Sequence, residues 1–223
     1  CAGTFTHFAT ADVIGDWDFK QQAQRFADTV GALRQAGLEV GLAHCDNTPG
    51  TVLHPEYHYD MCRVGVGLYG LQPAETTAPR ISLTPAMSVR GRVTRVANPA
   101  VGEGVGYGLT YRVSKPSIQI ATVPIGYADG LARSLSNNMD VIVNGARARQ
   151  VGRICMDQFM LAVDVNSVRA YHPAQPVQPG DIVTIMGRDG DEEITADELA
   201  ARRDTINYEV VCNFSERLDR IYV

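Results

Sequence analysis

The chain has 223 residues, 25 acidic against 20 basic, with a formal net charge of −5. At ~150 residues per domain this is about one and a half domains. A hydrophobic share of 45% with 20% charged residues excludes a disordered chain, and the acidic balance argues against a broad nucleic-acid or anionic-membrane surface. No uncharged apolar run approaches the ~18 residues that span a bilayer. The opening CAGTFTHFATAD has neither an initiator Met nor the pattern of a signal peptide. The expectation is a chain that starts inside a longer protein. Five scattered cysteines without a CxxC pair predict reduced thiols, a cytoplasmic setting, and no metal site. Of the 20 basic residues 18 are Arg; the lysines are Lys20 and Lys115.

Along the chain, GTFTHFA is β-prone. In the following run Phe19, Ala23, Phe26, Val30 and Leu33 fall at helical spacing, and Gly37 marks a helix stop. EVGLAHC reads as a buried strand, Asn47-Thr48-Pro49 as a helix start, and VGVGLYG as a third strand. This β/α rhythm predicts a parallel sheet.

Near residue 80 the pattern changes at LQPAETTAPRISLTP, a polar crossing between domains. The segments beyond it are mostly β-prone. Asn144-Gly145 signals a type I′ hairpin, Pro179-Gly180-Asp181 a turn, and Thr195 with Glu198 a capping box. TINYEVVCNFSERLDRIYV reads as a short helix followed by an edge strand. The expected fold class is therefore α/β plus all-β: residues 1–80 as the final strands of a β/α barrel, and 81–223 as a mostly β domain. A whole β/α barrel takes about 250 residues, so the first segment should have open edges.

Three clusters could carry chemistry. His7 ends a strand, a position that serves catalysis in β/α barrels and otherwise holds a histidine satisfied in a loop. Asn47 and Thr48 with Arg63, Gly65 and Gly67 offer a phosphate cup of hydroxyl and backbone N–H groups, or a packing turn. GEGVGYGLTY presents Tyr107 between glycines, or packs it in a hairpin. PIGYADG and VGRICMDQF gather Gly, Tyr, Arg and Asp at strand ends.

In this order FTHFATAD, DMCRVG to LYGLQP, LTPAMSV, VGYGLTY, PIGYADG, VGRICMDQF and TINYEVVC resemble the alanine racemase family across the whole chain. The resemblance implies a pyridoxal-phosphate barrel domain, a C-terminal β domain, and a head-to-tail homodimer with active sites at its interface. It implies racemisation of L- and D-alanine, supplying D-alanine for peptidoglycan. Tyr107 then matches the tyrosine base that acts on the partner subunit's cofactor, and His7 the histidine bonded to that tyrosine. Arg63 matches the arginine facing the pyridine nitrogen. Thr48, Gly65, Val66 and Tyr208 match the phosphate positions, with Asn47 beside Thr48. Met156 matches the amide meeting the substrate carboxylate, with Asp157 next to it. Tyr127, Arg153, Ile206 and Tyr208 match the residues narrowing the entrance.

Two departures stand out. Asp46 lies where the family more often has a small residue, and Thr48 where it has Ser. The family's cofactor lysine, which belongs to a motif near the N-terminus, has no match here. The chain is thus expected to be inactive alone and to need an N-terminal segment as partner. The alternatives are a non-catalytic assembly module descended from the racemase, or a racemase of another small amino acid such as serine.

Overall fold

The computed structural model describes residues 1–166 and 176–223. They form two compact units, Cys1–Ala86 and Met87–Val223.

In the first unit, β1 (Gly3–Phe5) and β2 (Leu42–His44) pair in parallel, with Phe5 opposite His44. Between them runs α1 (Trp17–Gln35), opened by the Asp16 side chain, which accepts from the Asp18 N–H. Phe19, Ala23, Phe26 and Val30 are buried against Phe8 and Ala43, with Leu33 partly covered. The helical spacing thus marks the covered face. Gly37 follows the helix with φ +73°, a left-handed stop. A short α2 (Thr48–Leu53) starts at Asn47, whose Oδ1 accepts from the Gly50 N–H at 3.0 Å.

The expected third strand does not form. Val66–Tyr69 is a 3₁₀ turn, and its N–H groups find local carbonyls: Leu68 donates to Gly65 and Gly70 to Gly67. Gly70 closes the turn at φ +76°, where a Cβ would lie 1.7 Å from the Thr84 carbonyl oxygen. Glycine therefore brings the backbone back onto residues 84–85 instead of extending a ladder. Phe5, Leu42 and Leu68 are exposed, in line with open edges.

The second unit is antiparallel. Its strands are β3 (Val89–Arg92), β4 (Arg95–Ala97), β5 (Gly104–Val105), β6 (Tyr111–Arg112), β7 (Ile118–Val123), β8 (Asp140–Val143), β9 (Ala146–Val151), β10 (Phe159–Asp164), β11 (Ile182–Asp189) and β12 (Glu192–Ile194). The main sheet runs β12-β11-β8-β9-β10-β7-β4, with β3 also on β11; β5 and β6 pair apart. Every residue of β10 is buried. Asn144 at φ +49° and Gly145 at φ +73° make the expected tight turn between β8 and β9. Gly180 takes φ +97° in the turn before β11.

Two helices follow, α3 (Ala196–Ala201) and α4 (Asn207–Asn213). Only half of the expected capping box exists. Thr195 Oγ1 accepts from the Glu198 N–H at 3.0 Å, but the Glu198 carboxylate pairs with Arg147 and Arg202. The edge strand expected at the C-terminus is also absent. After α4 the Ser215 N–H donates to the Asp129 carbonyl and Arg220 Nη2 donates to the Phe214 carbonyl, which ties the chain to a loop and to itself. The architecture is nonetheless the expected class: terminal β/α elements of a barrel, then a mostly β domain. Among the described residues no helix is long and apolar enough to cross a membrane.

Candidate functional site

In the first unit the strand ends gather His7, His44, Asn47, Thr48 and Arg63. Arg63 organises them. Its Nη1 donates to His44 Nδ1, and its Nη2 points at the Thr6 carbonyl at 2.9 Å and His7 Nδ1 at 3.3 Å. Guanidinium has donors and no acceptor, so His44 offers a bare Nδ1 to it; Nη2 is shared among the Thr6 and Cys45 carbonyls and His7. The Phe5 ring stacks on His44 at 5.3 Å and lies 5.4 Å from Arg63 Cζ. The guanidinium is thereby fixed on several sides.

Thr48 is buried, and its Oγ1 accepts from the Gly65 N–H at 2.9 Å. This leaves the hydroxyl proton for another acceptor. A Cβ added at Gly65 would meet nothing nearer than Thr48 Oγ1 at 4.0 Å, so the space beside its Cα is open, while its N–H is held by Thr48. Val66 begins the 3₁₀ turn, where first-turn N–H groups lack an intrahelical acceptor. Asn47 Nδ2 donates to the Phe8 carbonyl at 3.2 Å and lies 3.4 Å from His7 Nε2. Thus His7, Asn47, Thr48, Arg63, Gly65 and Val66 come together.

Beneath them Cys45 and Asp46 are fully buried. Burial, followed by the Asp46 charge, pushes the Cys45 thiol up to about 12, so it stays protonated and donates to the Tyr57 carbonyl. Burial pushes the Asp46 carboxyl up to about 6, opposed by the imidazoles of His58 and His54.

In the second unit an open groove of ≈ 910 Å³ is lined in part by Gly106, Tyr107, Cys155, Met156 and Asp157. Tyr107 is 71% exposed, on a 3₁₀ turn flanked by Gly106 at φ +71° and Gly108 at φ +73°. Gly108 packs beside the Arg153 guanidinium, 3.4 Å from Cζ at the position of a Cβ. Tyr127 and Ala128 donate backbone N–H groups to the Cys155 and Met156 carbonyls, both at 3.0 Å. A Cβ on Gly126 would lie 2.3 Å from the Met156 oxygen, so only glycine allows this approach. Tyr107, Tyr127, Arg153, Met156 and Asp157 therefore belong to connected loops. Ile206 precedes α4 and Tyr208 lies in its first turn; neither lines the groove.

Reading the sequence missed two site residues. His44 ends β2 as His7 follows β1, so strand-end position was an available signal. Arg217 bridges the buried Asp129 at 3.1 Å and Asp157 at 2.7 Å, tying PIGYADG to VGRICMDQF. The hydrogen bond it donates to Asp157, then the charge of Asp129, holds this guanidinium's proton more firmly. No local pattern announces an arginine 60 residues from its partner. Neither lysine joins a cluster: Lys20 is exposed on α1 and Lys115 Nζ pairs with Asp164 Oδ2 at 3.1 Å.

The model of the alanine racemase N-terminal domain matches residues 1–73, and that of the C-terminal domain matches residues 86–222. The chain belongs to the alanine racemase family. It is 43% identical over 220 residues to the alanine racemase of Symbiobacterium thermophilum, covering 99% of this chain and 56% of that protein. It is 40% identical to alanine racemase 1 of Bacillus subtilis, covering 100% and 54%. A Bacillus anthracis alanine racemase structure with bound L-Ala-P aligns with TM-score 0.86 and 36% identity, over 96% of this chain and 53% of that one. A Clostridium difficile alanine racemase in complex with cycloserine gives TM-score 0.88 and 36% identity, over 99% and 56%. The chain thus spans about half the length of the racemases it matches.

Proposed function

We propose that this chain supplies the tyrosine-bearing part of a pyridoxal-phosphate-dependent racemase that interconverts L- and D-alanine, providing D-alanine for peptidoglycan in the cytoplasm. The observation that carries this reading is the fixed guanidinium of Arg63 beside the Thr48–Gly65–Val66 cup. The cup's donors, a hydroxyl and turn amides beside open space, suit a phosphate oxygen set, and Arg63 suits a ring nitrogen kept unprotonated. The residues present therefore fit the cofactor: Thr48, Gly65, Val66 and Tyr208, with Asn47 nearby, would hold its phosphate and Arg63 its pyridine. Bound there, pyridoxal phosphate supplies the electron sink that makes the substrate Cα–H acidic.

The chain's own residues do the rest. Tyr107 takes or returns the Cα proton on one face of the substrate, and His7 is the hydrogen-bond partner that orients its phenol. The Met156 N–H holds the substrate carboxylate, with Asp157 beside it. Tyr127, Arg153, Ile206 and Tyr208 narrow the entrance, which suits a substrate as small as alanine. A single methylene changes binding by only about 1–3 kcal/mol, so serine is the substrate to compare. The second base is a lysine from the barrel segment preceding this chain in its relatives, and the working form is a homodimer with sites at the interface.

The test joins this chain to the barrel segment of a related racemase that carries the lysine. Conversion of L-alanine to D-alanine, requiring pyridoxal phosphate and absent from the chain alone, is the expected result. A joined protein that binds the cofactor but racemises neither alanine nor serine overturns the reading in favour of an assembly module.

A further inference from the structure

Asp46 is fully buried. Its carboxylate has one oxygen, Oδ1, with no hydrogen-bond partner among the described residues. Among those residues its ion-pair partner is the half-exposed His58, at 3.8 Å from Oδ2, rather than an Arg or Lys. Cys62 Sγ lies 3.9 Å from the same oxygen. A buried carboxylate without a close cation is costly unless it is paired or coordinates a metal. One oxygen, one nitrogen and one sulfur donor lie here within 4.8 Å of one another.

We propose that Asp46, His58 and Cys62 form a binding site for one divalent transition cation of the Zn²⁺ class. The mixed set is diagnostic: a thiolate and an imidazole favour a borderline-soft ion over Mg²⁺ or Ca²⁺. Bond lengths of about 2.0–2.3 Å in a tetrahedron place donors about 3.4–3.6 Å apart. The two edges to Asp46, 3.8 and 3.9 Å, lie near that spacing, and the His58–Cys62 edge, within 4.8 Å, must close by up to about 1.2–1.4 Å. Cys62 and His58 are partly exposed, which gives the ion a way in and leaves a coordination position for water. Cys45 is not one of the clustered donors: its thiol is directed at the Tyr57 carbonyl.

Binding breaks two existing bonds, from His58 Nε2 to the Thr51 carbonyl at 2.9 Å and from the Cys62 thiol to Asp46 Oδ2 at 3.9 Å. The His58 proton moves to Nδ1 and the Cys62 proton leaves to solvent, so Nε2 and a thiolate face the ion. The gain is a tie between two segments of the candidate site. Cys62 precedes Arg63, whose N–H already donates to the Asp46 carbonyl at 3.0 Å, and Asp46 precedes Asn47 and Thr48. The cation would neutralise a buried negative charge next to a cup meant for phosphate and fasten the Arg63 segment to it.

The experiment is a Co²⁺ titration of the full chain, with the exposed Cys1 and Cys212 replaced by Ser to remove competing thiols. It needs no turnover, so its outcome is independent of the racemase reading. A thiolate-to-Co²⁺ absorption band that saturates at one equivalent, is displaced by Zn²⁺, and is accompanied by a rise in melting temperature is expected. Cys62→Ser should abolish the band. His58→Gln, which keeps an N–H for the Thr51 carbonyl, should weaken binding at least tenfold while the protein stays folded by circular dichroism. No band in the folded chain, or a band that survives Cys62→Ser, overturns the proposal and leaves Asp46 and His58 as an ordinary ion pair.

Discussion

Arg63 and His7 meet at 3.3 Å, with a guanidinium nitrogen aimed at Nδ1 of the imidazole. Arg63 always donates, and the Asn47 amide nitrogen lies 3.4 Å from Nε2, so His7 is held between two donor groups. A second imidazole, His44, accepts from the same guanidinium. A lysine ammonium cannot span both rings and the Thr6 carbonyl together. In the joined enzyme, Arg63→Lys should therefore lower the racemisation rate. Hydrogen bonds to charged groups contribute about 1.5–3 kcal/mol each, so a loss of roughly tenfold to a few hundredfold is expected in kcat/KM. Arg63→Glu should also raise keto-acid by-product, because a carboxyl group can protonate the ring nitrogen and strengthen the electron sink. Rates with keto-acid quantification check both; an unchanged rate for the Glu variant would place Arg63 away from the pyridine.

The contact of Gly126 with the Met156 carbonyl makes a sharper steric test. A Cβ at Gly126 needs space already held by the Cys155 and Met156 oxygens, at 2.4 and 2.3 Å. Backbone cannot step aside as a side-chain tip can, and overpacking of this kind costs about 1–3 kcal/mol. Gly126→Ala should lower the melting temperature and, in the joined enzyme, raise KM for alanine as the Met156 amide shifts. Arg217→Met removes the guanidinium clasp while sparing that backbone contact. The Asp157 bond is half-exposed but Asp129 is buried and loses its cation, so a modest fall in melting temperature should accompany the rise in KM. Melting curves and KM measured on both variants separate the two effects.

Arg147 stabilises the second unit from a single position. It pairs with Glu192 at 3.0 Å and with Glu198 at 2.8 Å, and also reaches the Glu193 carbonyl. These carboxylates hold its proton firmly. The groups are mostly covered, with side-chain exposures of 18, 34 and 23%, so the pairs are worth more than surface bridges. Arg147→Met keeps the stem's packing and strands the carboxylates. Loss of about 1.5–3 kcal/mol is expected by urea unfolding, with Glu198→Gln milder because Arg202 loses only a share of its partners.

Much of this was legible because it is local. The α1 face was written in Phe19, Ala23, Phe26 and Val30, and the hairpin in Asn144-Gly145. The third strand was misread because VGVGLYG carries β-branched residues while its glycines permit a closed 3₁₀ turn, and the sequence alone does not show which wins. The capping box was half right for another reason: Glu198 has the spacing to cap, but Arg147, 51 residues away, offers a charged partner. Position at strand ends pointed to His7 yet passed over His44, whose part depends on an arginine 19 residues later. Long-range pairing of charged side chains is where local reading ends.

Tyr107 carries the final prediction. Its phenol is exposed on a turn set by two left-handed glycines, so Tyr107→Phe should leave melting temperature nearly unchanged; surface substitutions usually stay within about 0.5 kcal/mol. In the joined enzyme, loss of a positioned general base costs about 10²–10⁴-fold in rate. The loss should be one-sided. The remaining lysine still removes and returns a proton on its own face, so deuterium from solvent should enter Cα of one enantiomer with retention while conversion to the other nearly stops. If Tyr107 serves the partner's site, mixing Tyr107→Phe subunits with subunits whose cofactor lysine is replaced gives heterodimers with one intact site and one lacking both bases. Activity should then reappear in proportion to the heterodimer formed. Verified heterodimers that remain inactive would show that Tyr107 acts within its own subunit or is not the base, and symmetric loss of exchange for both enantiomers would show that the two faces do not have separate bases.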